Sequence, residues 1–229
     1  MANIPRQLVL DLPFRPALGR DDFFVAPSNE QAVAVIDQWP DWPNPVLVLV
    51  GPQGCGKSHL SEVWRQAAHA KKITADQLAV ENLPTFLSDG ALLVEDLPGS
   101  VLDETALFHL INLTREQGAY LMLTATTPPP TWQVRLPDLA SRLAAAGHVT
   151  LSEPDDTLLR AILIKQFADR QINMDEAIIS FMLTRMERSA RAARDLVAEI
   201  DREALRQKAN VTRPFVSAIM NQQLEFPEI

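Results

Sequence analysis

The chain has 229 residues, and 47% of them are hydrophobic, enough to build a folded core and to exclude a disordered chain. Its 29 acidic residues outnumber the 21 basic ones and give a formal net charge of −8, so strong direct binding to DNA is not expected. A single cysteine, the lack of a secretory signal, and the absence of any apolar run near the roughly 20 residues of a membrane span predict a cytoplasmic protein without membrane contact.

Short apolar runs alternate with helical patterns through the first two thirds of the chain. Prolines punctuate the first 45 residues, and one helix is predicted there over residues 28–39, capped by Ser28 or Asn29. The predicted strands are Val46–Val50, residues 92–95, 120–124 and 148–151, and a weaker one near residues 72–74. Near-continuous apolar strands separated by helices indicate α/β architecture with a parallel five-stranded sheet buried on both faces.

The strand pattern ends near Glu153, and helical periodicity continues to the end of the chain. Four helices are predicted, of which the second is capped by Asp175 and the fourth has Pro214 just inside its start. The predicted organisation is therefore an N-terminal segment (residues 1–22), an α/β core (23–152) and a small all-helical lid subdomain (153–229).

A phosphate-binding P-loop pattern, G-x-x-x-x-G-K-S, lies directly after the strand Val46–Val50 and before a predicted helix. Its residues are Gly51, Pro52, Gln53, Gly54, Cys55, Gly56, Lys57 and Ser58, followed by His59. Backbone N–H groups of such a loop and the start of the following helix attract phosphate. These residues predict a site for ADP or ATP, with Lys57 on the β- and γ-phosphates and Ser58 on Mg²⁺. Cys55 is interpreted as a small residue tolerated in the loop.

Two acids, Glu95 and Asp96, end the apolar strand at residues 92–95. In P-loop ATPases an acid at this place holds Mg²⁺ and the next one orients the attacking water. Glu95 is therefore predicted to bind the metal and Asp96 the water. The usual order is Asp-Glu or Asp-Asp, and the longer side chain at the metal position leaves open whether the chain itself hydrolyses ATP. Thr126, just after the next strand, is a candidate sensor of the γ-phosphate.

Two arginines are candidates for action on phosphates. Arg142 precedes the last predicted strand and cannot easily turn back to the nucleotide of its own chain, so it is a candidate arginine finger for a neighbouring protein. Arg191 heads the third lid helix, with Arg188 and Arg194 on roughly the same face, and is expected to reach the phosphates from the lid. The alternative for both is a solvated surface arginine.

Together these motifs resemble the DnaA-like AAA+ family, which contains the AAA+ domain of the bacterial replication initiator DnaA and its shorter Hda homologues. The matching stretches are residues 24–29, the P-loop, residues 124–129 and 136–143, and Arg191 within its helix. The resemblance implies an AAA+ core followed by a lid, an adenine pocket lined by Phe24 and Val25, and an Arg142 that acts in trans.

The N-terminal residues 7–12 resemble the short peptide, a glutamine followed by spaced leucines, that docks on the β sliding clamp of DNA polymerase III. An extended peptide would place Leu10 and Leu12 in an apolar pocket and the Gln7 amide at its polar rim, and Leu8 is also expected to bind the clamp. The alternative is an ordinary N-terminal strand.

The resemblance implies regulatory inactivation of the initiator. A nucleotide-bound adaptor, tethered to the DNA-loaded clamp, would use Arg142 to stimulate hydrolysis of initiator-bound ATP and so prevent re-initiation. The chain ends at Ile229 without room for the initiator's DNA-binding domain, which agrees with a regulator rather than the initiator. The expected partners are DnaA and the sliding clamp, and a homodimer is left open.

Two other functions remain open. One is a helicase-loader or clamp-loader-like AAA+ ATPase, which would need its own turnover; robust ATP hydrolysis by the isolated protein favours it. The other is a non-enzymatic scaffold that binds the initiator; initiator-bound ATP that survives beside the protein and the loaded clamp favours that one.

Overall fold

A parallel sheet forms the centre of the computed structural model, which describes residues 23–100 and 102–225. Its strands are β1 (Val46–Val50), β2 (Lys71–Thr74), β3 (Ala91–Leu97), β4 (Tyr120–Ala125) and β5 (Gly147–Thr150). They lie in the order β2-β3-β4-β1-β5, and all neighbours pair in parallel. β1 lies inside the sheet, between β4 and β5, and every one of its residues is buried, which is why that strand is apolar throughout. The predicted five-stranded parallel sheet is confirmed.

Helices cover both faces of this sheet. They are α1 (Glu30–Asp37), α2 (Lys57–Ala67), α3 (Leu83–Phe86), α4 (Glu104–Glu116) and α5 (Pro137–Ala144). On one face α1 and α2 pack against alternate strand residues, through a cluster that includes Ile36, Leu60, Trp64, Leu49 and Leu93. On the other face α4 and α5 pack against the remaining strand residues, through Leu107, Leu110, Leu139, Val48 and Leu92. Because all five strands run in parallel, their carboxyl ends lie at the same end of the sheet, where a ligand site is expected.

The described residues from Leu159 onward form a second compact unit, which is all-helical as predicted. Its helices are α6 (Asp156–Asp169), which begins in the first unit, α7 (Glu176–Leu183), α8 (Ala190–Gln207) and α9 (Arg213–Glu225). Their apolar faces share one core that contains Phe167, Met182, Val197 and Val216. The Asp175 carboxylate accepts a hydrogen bond from Ala177 N at 2.9 Å, so the predicted cap of α7 is confirmed. No helix in the described ranges has the length and apolar character needed to cross a membrane.

Candidate functional site

The P-loop segment connects the end of β1 to the start of α2, at the carboxyl ends of the strands. Gly51 packs so closely that a Cβ atom there would lie 2.6 Å from the Leu151 carbonyl oxygen and 2.7 Å from Cys55 Sγ. Gly56 has φ +105°, a left-handed conformation that side chains disfavour, and open space surrounds the position of its missing Cβ. The two glycines thus allow a tight loop whose backbone can be approached closely by a ligand.

Lys57 begins α2 and turns its ammonium group back over the loop. Its Nζ donates to the carbonyl oxygens of Gly51, at 2.6 Å, and Pro52, at 2.8 Å. The residue before it, Gly56, has no side chain to cap the helix, so the first turn of α2 offers its positive end to an anion. These features fit a phosphate chain.

Cys55 is buried within this loop. Burial raises the pKa of its thiol, and this effect exceeds the opposing influence of the nearby Lys57 charge and backbone. The thiol therefore stays neutral near pH 7, which supports its interpretation as a packing residue.

The loop that precedes α1 is shaped by Asn29. This side chain is only 3% exposed; its Oδ1 accepts from Ala26 N at 2.9 Å, and its Nδ2 donates to the Phe24 carbonyl at 2.8 Å. Asn29 is the N-cap residue of α1, as predicted, but its side chain makes no capping hydrogen bond to the helix because it bonds to the preceding loop instead. Within that loop Phe24 is half-buried and Val25 is 51% exposed, so an apolar surface is available to a ligand.

The same loop is tied to the segment that follows β5. Ser28 N donates to Asp155 Oδ2 at 3.2 Å, and Asp155 Oδ1 accepts from Leu158 N at 2.7 Å, in the first turn of α6. At the other end of the loop, the Phe23 ring lies 4.9 Å from the His59 ring, between ring centres. Asp155 was missed in the sequence, although an acid three residues before an apolar run is a helix-start signal.

The strand that carries the two predicted acids, β3, has a bulge at its end. Val94 pairs with Leu123 and Leu97 with Ala125, so β3 has one extra residue in this interval. Asp96 lies there with φ +64°, is exposed, and its N–H donates to Thr124 Oγ1 at 3.2 Å. The bulge gives the two neighbouring acids different surroundings.

Glu95, by contrast, is buried and engaged by the protein itself. Its carboxylate accepts a hydrogen bond from Ser61 Oγ on α2 at 3.2 Å and forms an ion pair with Lys72 on β2. The roles proposed for Glu95 on the metal and Asp96 on the water remain predictions. Among the described residues, no group of three or more His, Cys, Asp or Glu side chains could hold a metal ion. Ser58 is exposed, and its role as a ligand of Mg²⁺ also remains a prediction.

Thr126 lies just beyond the end of β4 and is exposed, and its sensor role remains a prediction. Thr124, two residues earlier, is only 2% exposed and joins β4 to the bulge of β3 through its hydroxyl. Sequence reasoning did not single out Thr124, because a threonine inside an apolar strand gives no sign of its partner.

Arg142 lies on α5 and is exposed, and its guanidinium has no ion pair or hydrogen bond to any of the described residues. The helix that carries it is firmly packed, since Leu139 and Leu143 are fully buried in the core. Its start is fixed from α4, because the Glu104 carboxylate accepts from Arg135 N at 3.0 Å and Leu136 N at 2.7 Å. The Arg142 guanidinium is therefore accessible to another molecule, and the helix that carries it is firmly packed.

We expect Glu104→Gln to lower the melting temperature slightly near neutral pH. The two backbone N–H groups lower the pKa of Glu104 in the folded state. A carboxyl whose folded-state pKa is lowered stabilises the protein above its unfolded pKa of about 4.3, and that contribution disappears as the pH falls through the folded-state value. Melting curves across pH should therefore show a gap between wild type and variant that closes in acid. Glu116→Gln, at the exposed other end of α4, is the control, and a gap that does not change with pH contradicts this account.

The lid arginines differ in their surroundings. The Arg191 side chain is 82% exposed, and its Nε lies 3.4 Å from Asp195 Oδ2, one helical turn later. Arg194 is half-buried, and burial lowers the pKa of its guanidinium. The sequence pattern favoured Arg191 as the arginine that binds the phosphates, and this role remains a prediction.

Comparisons with known proteins agree with this architecture. Residues 155–220 match the family model described as "Hda, lid domain". An uncharacterized protein of Haemophilus influenzae is 25% identical over 193 residues, which cover 79% of this chain and 84% of that protein. Domain III of the Thermotoga maritima replication initiation protein DnaA superposes with a TM-score of 0.80 at 18% identity, covering 92% of this chain and 98% of that chain.

Two further solved structures share the fold. AMPPCP-bound DnaA from Aquifex aeolicus has a TM-score of 0.68 at 20% identity, covering 85% of this chain and 70% of that chain. The Thermotoga maritima RuvB Holliday junction branch migration motor has a TM-score of 0.68 at 15% identity, covering 89% and 71%. Likeness at such low identity shows the fold alone. The chain therefore resembles the Hda proteins: its residues 155–220 match their lid domain, and its fold is that of the DnaA-like AAA+ proteins.

Proposed function

We propose that this protein is a nucleotide-bound regulator of the replication initiator DnaA, which stimulates hydrolysis of initiator-bound ATP while tethered to the DNA-loaded sliding clamp. The match to the Hda lid domain and the DnaA-like fold support a DnaA-related role. The observation that carries the proposed mechanism is Arg142, an exposed guanidinium without a partner among the described residues, on a helix packed by Leu139 and Leu143. Such a protein would work in the cytoplasm, at the replicating nucleoid.

The nucleotide would lie along the P-loop. Residues 51–58 would surround the phosphates of ADP or ATP, Ser58 would hold Mg²⁺, and Phe24 and Val25 would contact the adenine. The bound phosphates supply a fixed negative charge at the start of α2, where the helix dipole favours it. Lys57 would exchange the two carbonyl oxygens that it contacts in this structure for phosphate oxygens. Phosphate recognition would thereby set the conformation of the loop between β1 and α2.

A lid arginine would complete the phosphate site. Arg191 is the candidate from the sequence, and the half-buried Arg194 on the same helix is a second cation to compare with it. Alanine variants of the two residues, compared by their affinity for ADP, distinguish the candidates.

The chemical step would take place in the partner. Water attacks the γ-phosphorus of the ATP bound to the initiator, the bond to the β-phosphate oxygen breaks, and ADP and phosphate are formed. Arg142 would lie beside the γ-phosphate, where its planar guanidinium can donate two N–H groups to the charge that spreads over the oxygens in the transition state. Such a finger supplied by another protein accelerates hydrolysis by about 10³–10⁵-fold.

The clamp-binding part of the proposal rests on residues 7–12, which lie outside the described residues. Its anchors would be Gln7, Leu8, Leu10 and Leu12. A tether of this kind raises the local concentration of the protein near DNA-associated partners without any new contact between them.

We expect the double variant Gln7→Ala/Leu10→Ala to bind the purified sliding clamp at least about tenfold more weakly, since truncation of a central anchor costs more than about 1 kcal/mol. Pull-down on immobilised clamp and surface plasmon resonance measure this loss. Val9→Ala, at a spacer position of the same peptide, is the matched control and should bind like wild type. Equal binding by wild type and the double variant would show that residues 7–12 are not the tether, and no binding by wild type would remove the clamp from the proposal. Both outcomes leave the role of Arg142 to be tested separately.

A further inference from the structure

A cluster of three side chains, here called the Glu95 cluster, joins β2, β3 and α2. Glu95 is 8% exposed, its carboxylate accepts from Ser61 Oγ at 3.2 Å, and it forms an ion pair with the Lys72 ammonium. Ser61 is fully buried. A buried carboxylate requires a charge partner and hydrogen bonds, and here the protein supplies both from its own side chains.

The Glu95 cluster contacts α2 at Ser61, about one helical turn after Ser58, the predicted metal ligand. Ser58 and Ser61 are separated by about one turn of helix, or roughly 5 Å along its axis. Glu95 contacts the second of these serines, and the Ser61 hydroxyl lies 3.3 Å from the Ser58 carbonyl oxygen. The carboxylate is therefore bonded one turn beyond the hydroxyl that is predicted to bind Mg²⁺.

Lys72 and a magnesium ion would compete for the same carboxylate. The lysine reaches it from β2, where residue 72 pairs with Leu93 and Thr74 pairs with Glu95 in the parallel register. Because the Lys72 ammonium offsets the charge of Glu95, a metal ion gains less from approaching this acid, and movement of Glu95 toward the ion would weaken its contacts with Lys72 and Ser61.

We propose that Lys72 is a positioning residue that holds the Glu95 carboxylate on Ser61 and away from Mg²⁺–nucleotide, so that the core retains its nucleotide without hydrolysing it rapidly. This deepens the proposed nucleotide-binding function and rests on it, and it is independent of DnaA and the clamp. The binding of nucleotide then depends on the P-loop, while the acid that P-loop ATPases use for the metal serves the packing of β2, β3 and α2.

The first test uses Glu95→Gln, which keeps the volume of the side chain and its ability to accept from Ser61. The affinities for fluorescent ADP and for a fluorescent non-hydrolysable ATP analogue are measured with Mg²⁺ and with excess EDTA. For each nucleotide, the ratio of the affinity in Mg²⁺ to the affinity in EDTA should stay within about twofold of the wild-type ratio, since Glu95 does not touch the ion. A fall of about tenfold or more in this ratio would show that Glu95 is a metal ligand and would overturn the proposal.

The second test releases the carboxylate with Lys72→Met, which keeps the length of the stem and removes the charge. The ratio of ATP-analogue affinity in Mg²⁺ to that in EDTA should rise about tenfold. The double variant Lys72→Met/Glu95→Gln should return this ratio to the wild-type value, since the acid released by the lysine substitution is then absent. Lys72→Arg preserves the ion pair and should resemble wild type. Lys71→Met is the control, because Lys71 also pairs with an acid, Asp89, but away from Glu95.

An unchanged Mg²⁺ dependence in folded Lys72→Met would contradict the proposal. If that variant does not fold, Glu95→Gln alone decides. A wild-type protein that binds no nucleotide at all would refute the proposed function instead, so the two failures are distinguishable.

Discussion

Replacing Arg142 by alanine is expected to remove the stimulation of initiator-bound ATP hydrolysis, a loss of about 10³-fold or more, while ADP affinity stays unchanged. The guanidinium is exposed, and the anchoring of α5 depends on Leu139, Leu143 and the Glu104 carboxylate, not on Arg142 itself. The fold should therefore survive the substitution. Single-turnover decay of ATP bound to purified DnaA, with the variant and loaded clamp present, measures the loss.

Two controls separate the role of this arginine from general charge. Arg142→Lys keeps the charge but loses the planar pair of donors, and it should recover only a small part of the stimulation. Arg135→Ala removes another exposed arginine, one that precedes the same helix, and should behave like wild type. Full stimulation by the Arg142→Ala protein would exclude Arg142 as the finger.

Lys57→Ala is expected to weaken ADP binding by about 10–100-fold, because hydrogen bonds to charged groups contribute about 1.5–3 kcal/mol. Among the described residues the Lys57 ammonium bonds to the loop carbonyls of Gly51 and Pro52, so its removal should leave the core folded. Titration with fluorescent ADP gives the affinity, and the rise in melting temperature that ADP causes in wild type should shrink accordingly. Lys71→Ala, which removes a lysine from β2, is the control. Equal affinity in the Lys57 variant would show that the loop does not hold the phosphates.

The sheet could be predicted because each strand has its own local signal. β1 is apolar at every position since both faces are covered, and its bounds were predicted correctly. β2 gave a weaker signal because two of its four residues are lysines, one of which, Lys72, is committed to Glu95. β3 runs two residues beyond its predicted end, through the bulge at Asp96, and periodicity does not show a residue with positive φ.

The site was only partly predictable, because its side chains are brought together by elements that are distant in sequence. The P-loop residues are contiguous and could be found as a motif. The contact of Glu95 with Lys72 and Ser61 depends on the order β2-β3 and on the packing of α2, neither of which a local pattern contains. A local sequence pattern also does not predict the hydrogen bonds of Asn29 to its own loop and of Ser28 to Asp155, because the same residue types serve as ordinary helix caps.

The most direct test of the central claim follows the ATP on the initiator in the presence of the wild-type protein. Purified DnaA loaded with labelled ATP is mixed with the ADP-bound protein and with clamp loaded on DNA, and the conversion to ADP is followed over a single turnover. The account predicts hydrolysis at least about tenfold faster than the intrinsic rate, and little hydrolysis of free ATP when DnaA is omitted. Initiator-bound ATP that decays only at its intrinsic rate would contradict the account and favour a scaffold without action on the nucleotide.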